Sequence, residues 1–180
     1  PLQFLQMDTG DFTHWSNTNN SNPKYILFII DIYSRYLWVK PLKTKGEYTT
    51  KLKSILNEID IMFQDTYSIN FLTSDNEYKS NELKQLLIEK QIKHLFSNPH
   101  EKNKTVVVER VIGTIKRLII KYQQLNNTLN YGKVLDDIIY NYNHTEHNTI
   151  GTTPFFSIHN EIRYLKKDKN DNRKPITEDM

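Results

Sequence analysis

Three acidic residues, Asp8, Asp75 and Glu109, stand where the hydropathy pattern places strand ends and the first turn of a helix. Carboxylates from segments this far apart can meet at one edge of an α/β sheet, where ligands gather outside the strand ends. Such a trio suits two-metal phosphoryl transfer. Two Mg2+ ions about 3.5–4 Å apart take hard oxygen ligands, one activating the attacking oxygen and the other stabilising the leaving one. Spacing alone does not single the trio out, because the chain has 21 Asp and Glu and most acids are solvated surface.

Helix geometry bears on Glu109. Val108, Val111, Ile112, Ile115, Leu118, Ile119 and Tyr122 form one apolar stripe centred near Ile115 and Leu118. At about 100° per residue Glu109 faces away from that centre, with Gly113 and Lys116 on its own face and Arg110, Arg117 and Lys121 beside it. An acid with basic neighbours could hold metal while contacting phosphates. An ordinary solvated face with i,i+4 pairing has the same pattern. Asp11, three residues past Asp8, reads as a turn residue, and Glu77 as a helix-start residue.

The elements that must position these groups follow from periodicity. Leu2–Thr9 reads as a strand with Asp8 near its end, followed by a polar loop over Thr13–Pro23. Tyr25–Ile30 is a continuous apolar run of strand length, buried on both faces, and Tyr36–Leu42 a strand paired antiparallel with it. Helical spacing runs from Gly46 to Gln64, over about Ser80–Lys90, from Thr105 (a plausible N-cap) to Tyr122, and from Val134 to Tyr142. Ser68–Thr73 and Ile92–Phe96 read as strands, and Thr153-Pro154 starts a last short helix. The order β-β-β-α-β-α-β-α-α predicts a mixed sheet with helices on its faces.

Composition narrows the class. The 180 residues suit one domain with its own core, 37% hydrophobic and 25% charged. No apolar run reaches the roughly 20 residues of a membrane span. Cysteine is absent, which excludes a disulfide framework, a thiolate zinc site and a cysteine nucleophile. The net charge of +3 and pI near 8.9 point only weakly to nucleic acid. The chain opens at Pro1 directly on a strand-like pattern, which reads as a piece of a longer protein.

Four motifs in order carry a more specific signal. Lys24 to Val39 (KYILFIIDIYSRYLWV) resembles the second and third strands of the retroviral-type integrase core, and Thr73-Ser74-Asp75-Asn76 followed by Glu77-Tyr78-Lys79-Ser80 resembles its next strand end. Val108-Glu109-Arg110 with Thr114-Ile115-Lys116 is similar to the helix bearing the family's third acid. Tyr142-Asn143-His144-Thr145-Glu146-His147 and Gly151-Thr152-Thr153-Pro154-Phe155 are similar to its closing signature.

The resemblance runs from about Leu5 to Phe156. It implies a ribonuclease-H-like α/β fold, with a five-stranded mixed sheet flanked by helices, and a catalytic, metal-binding triad of Asp8, Asp75 and Glu109. That triad would take two Mg2+ (or Mn2+) ions. The polar insert after Asp8 most resembles integrases of Maverick/Polinton elements and virophages. Positions 76 to 108 separate the second Asp from the Glu, slightly fewer than the family often has, and the usual Gly after Asp75-Asn76 is missing.

The implied activity is 3′-end processing and strand transfer of element DNA into target DNA. Lys116, Arg110, Arg117 and Lys121 are the candidate DNA contacts, with Asn98 and His100 in a loop over the site. Residues 1–158 would form the catalytic core and 159–180 a charged tail or linker. The expected partners are element-end DNA, target DNA and a second copy or more of the chain, with no membrane, working inside cells and in the host nucleus during integration. His144, Glu146 and His147 read as a packing element, and Trp15 and Trp38 as core. Two rival readings keep the fold but change the role: a ribonuclease-H-like nuclease, against which the Thr153-Pro154-Phe155 signature argues, and a domesticated, non-catalytic DNA-binding module, against which the retained acids argue.

Overall fold

The apolar run from Tyr25 becomes strand β2 (Tyr25–Asp31), in which every residue from Ile26 to Asp31 is buried. It pairs antiparallel with β1 (Phe4–Asp11) on one side and β3 (Leu37–Leu42) on the other. Strands β4 (Phe71–Ser74) and β5 (Lys93–Phe96) follow β1 in parallel, giving the order β3-β2-β1-β4-β5. The computed structural model describes residues 1–16, 22–64, 67–97 and 105–160. The expected mixed sheet of five strands is present.

Side-chain alternation along the strands divides the apolar residues into two cores. Leu27 and Ile29 of β2, with Leu5 and Met7 of β1, pack beneath α1 (Tyr48–Phe63) and α2 (Asn81–Glu89). Ile26, Phe28 and Ile30 face α3 (Val106–Leu125) and α4 (Leu135–His144). Ser80 caps α2 by accepting from Leu83 N. Thr153 caps the short α5 (Pro154–His159) by accepting from Phe156 N, with Pro154 in its first turn. His159, assigned from sequence to the tail, closes α5, and residues 161–180 lie outside the described residues. Trp38 is buried, and Trp15 packs at the edge of the second core.

The structure corrects the sequence reading at two points. The first strand runs on to Asp11, so Asp8 lies in its interior, opposite Phe28, rather than near its end. The polar residues there extend the strand because β2 supplies the antiparallel ladder as far as the Asp11–Tyr25 pair. The buried stripe of α3 runs through Val108, Val111, Ile112, Ile115, Ile119 and Gln123, while Leu118 is 36% exposed. Spacing of three and four residues from Ile115 and Ile119 turns the seam toward Gln123, whose amide is satisfied by donating to the Leu129 carbonyl at 2.9 Å.

Three buried polar side chains tie the layers together. Asp31 accepts from Leu2 N (3.0 Å), Ser34 N (2.8 Å) and Ser34 Oγ (2.6 Å), closing the turn between β2 and β3. Asn143 of α4 exchanges two 2.9 Å bonds with the backbone of Leu37, satisfying edge strand β3. Asn22 donates to the carbonyls of Trp15 and Leu129 and accepts from Tyr131 N and Gly132 N.

Gly10 is where β1 comes closest to the second core. A Cβ there would lie 2.6 Å from the Phe12 ring and 2.9 Å from the Phe28 ring, both packed in that core. Gly10→Ala is expected to cost about 1–3 kcal/mol by overpacking, read as a lower urea midpoint with an unchanged slope.

Candidate active site

Divergence between two strand pairings creates the site. β1 pairs with β4 only over Phe4–Gln6, opposite Phe71–Thr73, whereas its pairing with β2 continues to Asp11. Asp8 therefore lies just beyond the point where β4 leaves β1, and Asp75 directly follows the end of β4. Gln6 Oε1 accepts from Val108 N at 3.0 Å, which seats the start of α3 against β1 and brings Glu109 to the same end of the sheet.

Each carboxylate is held by hydroxyl or backbone donors. Asp8 Oδ1 accepts from Thr9 N (2.7 Å) and from Tyr78 Oη (3.0 Å). Asp75 Oδ1 accepts from Ser97 Oγ, and Ser97 N in turn donates to the Ser74 carbonyl at 3.0 Å. Thr105 Oγ1 lies 2.8 Å from Glu109 Oε1 and 3.4 Å from Asp75 Oδ1, so one hydroxyl stands between two of the acids. Thr105 occupies the N-cap position of α3 but makes no side-chain cap bond, because its hydroxyl is turned to the carboxylates.

Electrostatics set Asp8 apart. Burial pushes its carboxyl above the ordinary range; the bonds from Thr9 and Tyr78 oppose this, and the charges of Asp75 and Glu77 add to it. The Tyr78 hydroxyl is itself pushed up, by burial first and then by Asp8, so it stays a donor. Among the described residues no ion pair involves Asp8, Asp75 or Glu109; the two present are Lys40–Glu58 and Lys90–Asp60. The charge of Asp75 bears on Asp8 with no ion pair among the described residues to relieve it, and hard carboxylate oxygens so placed suit a divalent cation. As placed, no three acids or histidines among the described residues close on a single ion, and the exposed Glu109 carboxylate is turned to Thr105.

The other sequence candidates separate clearly. Lys116 shares the face of Glu109 and sits over the Phe12 ring, 5.2 Å from its centroid. Arg110, Arg117 and Lys121 are exposed on α3, and Arg117 Nη2 donates to Thr114 Oγ1 at 3.1 Å. Asn98 and His100 lie outside the described residues. Asp11 Oδ1 accepts from Thr13 N and Thr13 Oγ1, the turn role read for it. His144 Nδ1 donates to the Tyr140 carbonyl and His147 Nε2 to that of Tyr142, so both pack rather than chelate.

Sequence reasoning missed Tyr78, Ser97 and the hydroxyl role of Thr105. Two of them stand within four residues of an acid, Tyr78 three after Asp75 and Thr105 four before Glu109. A hydroxyl placed so close in sequence was the only signal.

The raised Asp8 carboxyl has a consequence for stability. The folded state holds that proton more tightly than the unfolded chain, so the contribution of Asp8 is fully present below the unfolded value of 3.8 and lost as pH rises through the folded value. In metal-free buffer containing a chelator, Asp8→Asn is expected to unfold at a higher temperature than the native chain at neutral pH. The difference should close as pH falls below 3.8, read from paired thermal melts across pH.

Comparison with known proteins places these features in a lineage. The profile described as the integrase core domain matches residues 2–102. A transposon-derived protein of Caenorhabditis elegans is 32% identical over 138 residues, covering 76% of this chain and 46% of that protein. The retrovirus-related Pol polyprotein of an Arabidopsis thaliana transposon is 28% identical over 112 residues, covering 61% of this chain and 7% of the polyprotein. The chain thus spans less than half the length of these relatives.

Among solved structures, the simian T-cell lymphotropic virus intasome in complex with PP2A regulatory subunit B56 gamma matches with a TM-score of 0.70 at 20% identity, covering 100% of this chain and 61% of that one. The HTLV-2 integrase catalytic core domain in complex with magnesium, in a trimeric form, matches with a TM-score of 0.63 at 19% identity, covering 87% and 95%. The fold is ribonuclease-H-like, and with its profile matched over more than half the sequence the chain belongs to the integrase core domain family.

Proposed function

We propose that the chain is the catalytic core of a DNA integrase, a polynucleotidyl transferase acting through Asp8, Asp75 and Glu109. The observation that carries this reading is the approach of Asp75 and Glu109 to one Thr105 hydroxyl, with Asp8 in the electrostatic field of Asp75. These three residues would hold Mg2+ or Mn2+, two ions per site; the magnesium in the HTLV-2 core supports that choice. When bound, such ions supply Lewis acidity and neutralise charge developing on a phosphodiester.

The chain's own groups do the positioning. Tyr78 and Thr9 fix the Asp8 carboxylate, Ser97 fixes Asp75, and Thr105 holds Glu109, whose carboxylate would have to leave that hydroxyl to join the other two acids at an ion. In the first reaction water attacks a phosphodiester near the 3′ end of the element DNA and leaves a free 3′-OH. In the second, that 3′-OH attacks a target phosphodiester in line and displaces the target strand's own 3′-oxygen. Lys116, on the face of Glu109, would steady the terminal phosphates, with Arg110, Arg117 and Lys121 along the same helix.

Two DNA ends must be held together, so the core would work as a dimer or a higher assembly. The dimeric and trimeric forms of the HTLV-2 core support this. Residues 1–158 would form the catalytic unit and 159–180 a linker, in an element of the Maverick/Polinton or virophage kind acting in the host nucleus. No helix among the described residues is long and apolar enough to cross a membrane.

The engagement of Glu109 by Thr105, with no three acids among the described residues closing on one point, favours a second reading: a retired site in a module that only binds DNA. One experiment separates the two. In the active reading, Mn2+ or Mg2+ raises the melting temperature and supports joining of labelled element ends to a plasmid. Asp75→Asn then abolishes joining and the metal shift while keeping the native circular dichroism spectrum. A native chain with no metal shift and no joining belongs to the retired module, and a folded Asp75→Asn protein that still joined ends would remove the triad assignment.

A further inference from the structure

A cleft of about 730 Å3 opens where β2 begins, β3 ends and α1 starts. Lys24, Lys43 and Lys51 line it, together with Pro23, Pro41 and Thr50. Lys24 and Lys43 are exposed and Lys51 is half-buried, and among the described residues none of the three forms an ion pair. The one carboxylate in the lining, Glu47, accepts from Lys43 N at 2.8 Å.

The cleft lies at the end of the sheet to which β1 carries its acids. Asp11 stands opposite Tyr25, and Tyr25 opposite Leu42, which lines the cleft. At about 4.8 Å per strand and 3.4 Å per residue, the cleft is roughly 15 Å from Asp8 in the plane of the sheet, around the sheet end from the α3 face to the α1 face.

The ground between is basic as well. Lys45 lies over the Tyr25 ring, 5.9 Å from its centroid, and Lys116 over the Phe12 ring. The acid on that path, Asp11, is engaged by Thr13. Its carboxyl is held below the usual range by those hydrogen bonds first and then by the charges of Lys45 and Lys116.

We infer that this cleft is a phosphate track, in which Lys24, Lys43 and Lys51 hold the backbone of a DNA strand leaving the carboxylates, with no reading of its bases. The inference rests on the integrase reading for the identity of the ligand. It adds a binding surface separate from α3, in which Lys43 and Lys51 lie outside the sequence motifs and Lys24 opens the first of them. Lysines suit this role because an ammonium is a compact point charge for phosphate.

The test is equilibrium binding of a fluorescently labelled duplex of random sequence by the full chain, from about 50 to 200 mM salt. The variant Lys24→Gln/Lys43→Gln/Lys51→Gln is expected to bind about ten- to a hundredfold more weakly, equally across sequences, with the salt slope reduced by about 2.7. Restoring charge with Arg at all three positions should recover most of the loss. Lys53→Gln/Lys84→Gln/Lys93→Gln, which removes the same charge from exposed positions elsewhere, should bind as the native chain does.

Unchanged affinity and slope in the first variant would overturn the track, as would an equal loss in the second, which would mean that net charge alone is read. Metal-dependent joining of element ends by the native chain is measured in parallel. Its absence counts against the integrase reading and leaves the binding result to stand for any DNA.

Discussion

The site depends on the mismatch between the two ladders of β1. On one side β2 follows it antiparallel through Asp11; on the other β4 follows it in parallel only through Gln6. A parallel pair leaves both strands running in the same direction, so where β4 ends and the chain turns away, β1 is left with one unsatisfied edge. Polar groups must collect there, since exposed backbone and an interior apolar face cannot both be served by the same side chains. Asp8 sits at that gap and Asp75 at the turn that makes it. Gln6, the last paired residue, uses its side chain to dock α3 and so brings the third acid to the same place.

The way these acids are satisfied explains how they persist without countercharges. Tyr78, Ser97 and Thr105 donate neutral hydroxyl hydrogen bonds, which hold geometry but leave the negative charge in place. A lysine or arginine in their stead would neutralise the carboxylates and, under the proposed reading, occupy the position a divalent cation would take. The cost falls on Asp8, whose burial beside Asp75 and Glu77 raises its proton affinity. Strain of this kind at a cluster of like charges is the expected trade between stability and a site kept ready for a ligand.

Much of this was legible along the chain because it is local. The apolar run of β2, the helical spacing of α1 and α3, and the start of α5 at Thr153-Pro154 each follow from residue type and spacing over a few residues. The three acid-bearing segments were legible for the same reason. What could not be read is set by contacts across long stretches of chain. Tyr78 meets Asp8 across 70 residues, and Asn143 meets Leu37 across 106, with no pattern in either segment to announce it. Loose alternation over Leu2–Thr9 puts Asp8 near a strand end; only the partner strand, which continues past it, decides otherwise. Leu118 was drawn into the buried stripe by its type, whereas the seam of α3 follows the helical repeat to Gln123.

Charge is then divided by distance and not by pairing. The chain is nearly balanced, with 24 Lys and Arg against 21 Asp and Glu, so a uniform mixture would neutralise the acids locally. Instead no ion pair among the described residues involves the acids at the sheet end, while Lys24, Lys43 and Lys51 gather at the cleft and Lys45 over the neighbouring Tyr25 ring. A polyanion feels both groups at once. It is repelled by bare carboxylates and attracted by the lysines beside them, and only cations at the acids remove the repulsion. Under the proposed reading, metal and nucleic acid would be coupled through this arrangement: a cation neutralising Asp8, Asp75 and Glu109 would strengthen the hold of the lysines on phosphate, and by linkage phosphate bound there would strengthen the hold on metal.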